Sequence, residues 1–223
     1  MEQLKAVIFD LDNTLLDRTN TFSRFTRAFV NQYLSHAQDD KALCDRIIAL
    51  DEDGYKDKGL LFTELLEEMP WNDKVEMPAH HELMAFYEEH YVSNAMLMHE
   101  AAEVIAHARK KYKVGMITNG RTPIQYGKID QLGIRDSFDF IIVSEEAGVK
   151  KPDPQIFELA TRKLGLRPEE CLYVGDHPVN DIEGASKAGM ATIWMKVNQP
   201  WLEQLEAKPL HTIEQLNELL KLI

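Results

Sequence analysis

The stretch "VIFDLDNTLLD", Val7–Asp17, decides how the chain is read. An apolar run of strand length ends on Asp10, and a second carboxylate, Asp12, follows two positions later. Residues i and i+2 of an extended segment point the same way, so the two acids share a face. Two carboxylates about 4 Å apart repel by about 4 kcal/mol at an effective dielectric of about 20. Several such pairs would consume much of the 5–15 kcal/mol typical of a folded domain. A positive partner is therefore expected among them.

Similar short apolar runs recur at Lys113–Thr118, Phe138–Val143, Cys171–Gly175 and Ala191–Met195. They are continuous rather than alternating, as in parallel strands buried on both faces. Helical patterns separate them: Glu100–Tyr112, Thr122–Leu132, Pro154–Leu164 and Asp181–Ala188. The alternation predicts an α/β fold with a Rossmann-like, doubly wound parallel sheet. From about Thr19 to Tyr91 no strand pattern appears. Phe22, Phe25, Phe29, Val30 and Tyr33 fall on one helical face, and Leu61, Phe62, Leu65, Leu66 and Met69 on another. A strand crossover needs only a dozen or more residues. The excess predicts a small helical domain at 18–92 inserted into a core formed by 1–17 and 93–223. Ile213–Leu222 reads as a closing amphipathic helix.

In open parallel sheets ligands bind at the carboxyl ends of the strands. There the sequence places Asp10, Asp12 and Thr14 after the first run, and Thr118, Asn119 and Gly120 after the second. Lys150 and Lys151 follow the third, and Asp176 and Asp181 the fourth. This oxygen-rich set suits Mg²⁺, which takes one or two carboxylates together with waters and substrate phosphate. Lys151 is the second candidate counter-charge.

Composition narrows the partners. Of 223 residues, 44% are hydrophobic and 28% charged, as in ordinary globular chains. A formal net charge of -12 argues against nucleic acid, whose phosphates need a basic face. Two cysteines are too few for a disulfide framework or a four-thiolate zinc site. No signal-peptide pattern or membrane-spanning apolar run is found, so the expectation is a cytoplasmic protein without a membrane partner. The charge does not exclude a small-molecule phosphate ester, since a metal or a lysine can make one site locally positive, and a monomer or homodimer is expected.

Four motifs in fixed order resemble the haloacid dehalogenase (HAD) superfamily: "DLDNT", "ITNG", "GVKKPDPQIF" and "VGDHPVNDIEGA". The resemblance implies a phosphatase that works through an aspartyl-phosphate intermediate. Asp10 matches the nucleophile. An aspartate of reference pKa about 3.9 is expected to be ionised without help at neutral pH. Asp12 matches the general acid and base, whose backbone carbonyl also ligates the metal. Thr118, with the backbone of Asn119, matches the group that binds the phosphoryl oxygens. Lys151, directly before proline, matches the neutralising lysine, and Lys150 reads as solvated. Asp176 matches a metal ligand beside Asp10. Asp181 is either a water-mediated ligand or a partner for Lys151. His177 stands where many relatives carry a small residue such as serine, and it reads as tolerated variation.

The family's dehalogenase branch typically lacks the second aspartate of "DLDNT", so the resemblance implies phosphate esters rather than carbon–halogen bonds. The helical insert resembles the family's C1 cap, with hinges expected near Leu16–Arg18 and Tyr91–Met98. "TNG" and the insert length resemble the branch of pyrimidine and nucleoside 5'-monophosphatases. A sugar phosphatase, a phosphomutase, a phosphonate hydrolase or a non-catalytic binding protein remain as alternatives. Other signals are discounted. Arg18, Arg24 and Arg27 read as a charged outer helix face. "DEDGYKDKG" lacks the flanking acids of a calcium loop. Trp71, Trp194 and Trp201 read as packing residues.

Overall fold

The computed structural model describes residues 4–74 and 76–223. The chain divides into two compact units, one holding the residues up to Asp17 together with Leu97–Ile223, the other Arg18–Met96.

The larger unit is built on strand β1 (Ala6–Phe9), whose four residues are all buried. The helical unit follows, with α1 (Arg18–Tyr33), α2 (Asp40–Asp51), α3 (Lys58–Glu68) and α4 (His80–Ser93). The chain then continues through α5 (Ala101–Ala108), β2 (Lys113–Thr118), α6 (Thr122–Gln131) and β3 (Phe140–Val143). Next come α7 (Ser144–Ala147), α8 (Pro154–Leu164), β4 (Cys171–Gly175), α9 (Gly184–Lys187), β5 (Ala191–Met195) and β6 (His211–Ile213). The six strands form one sheet in the order β3-β2-β1-β4-β5-β6, and every pairing is parallel. The doubly wound α/β expectation is met. Strand order reverses beside β1, between its neighbours β2 and β4, which is where such sheets open a crevice at their carboxyl ends.

Alternate residues bury opposite faces of the sheet. Ala6 and Ile8 of β1 join Cys171 and Tyr173 of β4 in one apolar cluster, closed by Ile156, Phe157 and Ala160 of α8. Helix α8 starts at Asp153, whose side chain accepts from the Gln155 N–H, and ends at Gly165 in the left-handed conformation.

Two readings at the C-terminus need correction. β6 is too short and too exposed to show as an apolar run, and it exists because it pairs with β5. The segment expected to be an amphipathic α-helix is a 3₁₀ stretch over Leu216–Lys221. Its buried positions, Leu216 and Leu219, are three residues apart and fit the three-residue repeat of that helix.

The helical unit packs around aromatic rings. Phe25 is fully buried, with the rings of Phe22 and Tyr87 each 5.3 Å away, and Phe29 contacts Phe62 and Trp71. The unit extends to Met96 because Asn94 caps α4 and the Met96 amide donates to Thr21 Oγ1 of α1 at 3.1 Å. Arg18 does not lie on an outer face. It is buried, and its guanidinium is 2.5 Å from Asp51 and 3.4 Å from Asp53. Lys58 reaches the other Asp51 oxygen at 2.7 Å. The segment discounted as a calcium loop thus turns between α2 and α3 around two cations. Among the described residues no helix is long and apolar enough to cross a membrane.

Glu170, just before β4, accepts from Lys5 Nζ at 2.7 Å and from the Arg167 N–H at 2.9 Å. These partners hold its carboxyl at about 2, against an ordinary 4.5. A depressed carboxyl stabilises the fold above its unfolded value and loses that contribution as pH falls through its folded value. The stability advantage of the native chain over Glu170→Gln should be complete near neutral pH and vanish between pH 4.5 and about 2, as read by urea midpoints across that range.

Candidate active site

Strand register aligns the chemical groups. Phe9 is level with Met116 on one side and Val174 on the other. Asp10, one residue on, donates its amide to the Val174 carbonyl at 2.9 Å. Asp176 leaves β4 beside it, and Thr118 ends β2. All three side chains are buried.

Lys151 joins them. The residue is 4% exposed, and its ammonium lies 2.6 Å from Asp10 Oδ1 and 2.6 Å from Asp181 Oδ1. It also donates to the Tyr173 hydroxyl at 3.1 Å. Burial pulls the lysine toward its neutral form, but Asp10 and Asp181 more than offset this, and it stays charged well above its ordinary range. Burial and Asp181 keep Tyr173 a neutral phenol. Its hydroxyl lies 3.2 Å from both the Ile117 carbonyl and Asp181 Oδ1.

Asp10 departs from expectation. Burial, reinforced by Asp181 and Asp12 and opposed by Lys151, raises its carboxyl to about 7. Its ionisation at neutral pH is therefore not automatic, and one lysine does not neutralise the cluster. Carboxylate oxygens of Asp10, Asp176 and Asp181 lie within 4.8 Å of one another, all on buried residues. Three converging hard oxygen donors with excess negative charge fit a divalent cation of the Mg²⁺ type. Asp181 is already engaged. Its Oδ1 faces Lys151, and its Oδ2 accepts from the His177 N–H at 2.9 Å. Of the two readings left open for Asp181, the contacts match a partner for Lys151.

Local structure explains the placement. Asp181 sits in a π-helical turn, Pro178–Glu183. The His177 ring caps that turn, with Nδ1 accepting from the Val179 and Asn180 N–H groups at 3.1 and 3.0 Å. The imidazole does the work of a capping serine, which gives the departure at this position a structural reason. Gly175 leaves room for Asp181, since a Cβ there would lie 2.5 Å from its Cγ. Trp194 is more than packing, because its indole N–H donates to the Asp176 carbonyl at 2.7 Å. Asn119 clamps the lysine loop through its side chain: Nδ2 donates to the Lys151 carbonyl at 3.0 Å, and Oδ1 accepts from the Lys151 N–H at 2.9 Å. Thr14 Oγ1 is buried with no hydrogen-bond partner in the structure.

Asp12 lies outside the three-acid cluster. Both its oxygens are 2.7 Å from Lys128 Nζ, and Oδ2 accepts from Gln125 Nε2 at 3.0 Å. Gln125 Nε2 also donates to Thr118 Oγ1. Lys128 and Gln125, both on α6, were not singled out from the sequence. The available signal was a polar pair three residues apart beside Ile124 and Ile129. Pattern alone does not tell such a pair from a solvated face.

Comparison with known proteins agrees with this architecture. The family model for haloacid dehalogenase-like hydrolases matches residues 4–189. A glyceraldehyde 3-phosphate phosphatase of Pyrococcus abyssi is 31% identical over 230 residues, covering 99% of this chain and 94% of that protein. A pyrimidine 5'-nucleotidase of Escherichia coli is 37% identical over 126 residues, 55% of each chain. A HAD hydrolase of Bacillus subtilis, crystallised with magnesium, superposes with a TM-score of 0.82 at 22% identity, over 99% of this chain and 98% of that one. The chain therefore belongs to the haloacid dehalogenase-like hydrolase family.

Proposed function

We propose that the protein is a Mg²⁺-dependent phosphatase of small phosphomonoesters, with nucleoside 5'-monophosphates as the first substrate class. The observation that carries this reading is the buried Lys151 ammonium, 2.6 Å from Asp10 and 2.6 Å from Asp181, beside Asp176 and Thr118. The coverage of the Pyrococcus relative favours a second reading, a short phosphorylated aldehyde or polyol.

Asp10 attacks phosphorus. An Asp10–phosphorus bond forms as the bond to the leaving oxygen breaks. Asp12 gives its proton to that oxygen. It then takes a proton from the water that attacks the aspartyl phosphate, which releases phosphate and restores Asp10. Lys151 holds the Asp10 carboxylate in place and offsets charge on the phosphoryl oxygens. Thr118 Oγ1 accepts from Gln125, so its own proton is available to a phosphoryl oxygen. Asp10, Asp176 and the Asp12 carbonyl would hold the metal. When bound, it supplies electrostatic stabilisation of phosphoryl charge and favours ionised Asp10.

Turnover of 4-nitrophenyl phosphate should fall about 10⁴-fold or more in Asp10→Asn. Chelation should remove at least about 10²-fold, and added Mg²⁺ should restore it. Activity that survives both treatments would refute the reading. Gly175→Ala should displace Asp181, cost about 10²-fold in kcat and lower the melting temperature, because it disturbs the buried Lys151–Asp181 pair. A panel pairing nucleoside monophosphates with triose and sugar phosphates separates the two substrate readings by kcat/KM.

A further inference from the structure

Helix α6 carries a buried lysine with no place in the steps above. The Lys128 side chain is 2% exposed, and burying an ammonium costs several kcal/mol unless a partner compensates. Its position is specific. Nζ is 2.7 Å from Oδ1 and 2.7 Å from Oδ2 of Asp12, bridging both oxygens of one carboxylate. Gln125, one turn earlier and also buried, donates to Asp12 Oδ2 at 3.0 Å and to Thr118 Oγ1. A carboxylate only accepts, so the Gln125 nitrogen must be the atom facing it. The Asp12 side chain is 25% exposed, against 2% for Lys128.

We propose that Lys128 and Gln125 are positioning residues. They fix the plane of the Asp12 carboxyl for proton transfer to the leaving oxygen and, through Gln125, lock it in register with Thr118. This rests on the phosphatase reading. The step it serves is the departure of the leaving group, in which the Asp12 O–H bond breaks, the proton joins the leaving oxygen and Asp12 is left as carboxylate. Neither α6 side chain touches the transferred proton. A substrate that leaves as a stable anion does not need that proton, whereas an alkyl phosphate does.

First-turnover rates with 4-nitrophenyl phosphate and with glycerol phosphate test this in the native chain, Lys128→Met and Gln125→Met. Lys128→Met should slow the alkyl ester about 10²-fold and the aryl ester less than about threefold, since an acid in place contributes on the order of 10²–10⁴. Gln125→Met should show the same selectivity at smaller amplitude, and it serves alone if Lys128→Met fails to fold. Equal loss on both esters would reduce the pair to a structural ion pair, and no loss on either would also overturn the proposal. A native chain inactive toward both esters would remove the phosphatase reading and the proposal together. That outcome differs from an active native chain whose variants lack selectivity.

Discussion

The bridge from the Lys151 ammonium to Asp10 and Asp181 is the interaction on which the rest of the core depends. It ties the end of β1 to the turn after β4 through a loop that belongs to neither strand. Removing one partner of a buried ion pair leaves an uncompensated charge, at a typical cost of 3–5 kcal/mol. Much of the surrounding detail keeps this arrangement affordable. Asn119 clamps the lysine backbone, Tyr173 accepts from the ammonium, and the His177 amide takes the second Asp181 oxygen.

Charge at this edge is distributed over two buried lysines rather than one. Lys151 serves Asp10 and Asp181 from the loop before α8. Lys128 serves Asp12 from α6. The two carboxylates that stand two residues apart in the first motif therefore face different cations, which keeps neighbouring acids of like charge from sharing one environment. Divergent surroundings are how paired carboxyls take divergent roles. The Gln125 amide, shared between Asp12 and Thr118, links the two halves of the site.

Legibility followed range. β1, β2, β4 and β5 were readable because a strand buried on both faces leaves a continuous apolar run. Asp10, Thr118 and Asp176 were readable because each lies at or next to the end of such a run, where an open sheet presents its ligands, whereas Lys151, in the loop after the third run, was singled out by the family resemblance. β6 was not, since three residues carry no pattern of their own and the strand exists through pairing with β5. Arg18 was misread for a similar reason: a helix shows that a residue is charged, but not that Asp51, 33 positions away, lies opposite it.

The sequence by itself determined the doubly wound α/β class, the interruption by a helical segment, and the convergence of acids, hydroxyl and lysine at one sheet edge. These follow from periodicity and from what stands at strand ends. Only the tertiary structure decided which cation answers which acid, that burial raises Asp10, and that Gln125, Lys128, Tyr173 and Trp194 support the site. The physical reason is that hydrogen bonding, ion pairing and desolvation depend on distances between residues 18 to 141 positions apart, and no local pattern encodes those distances.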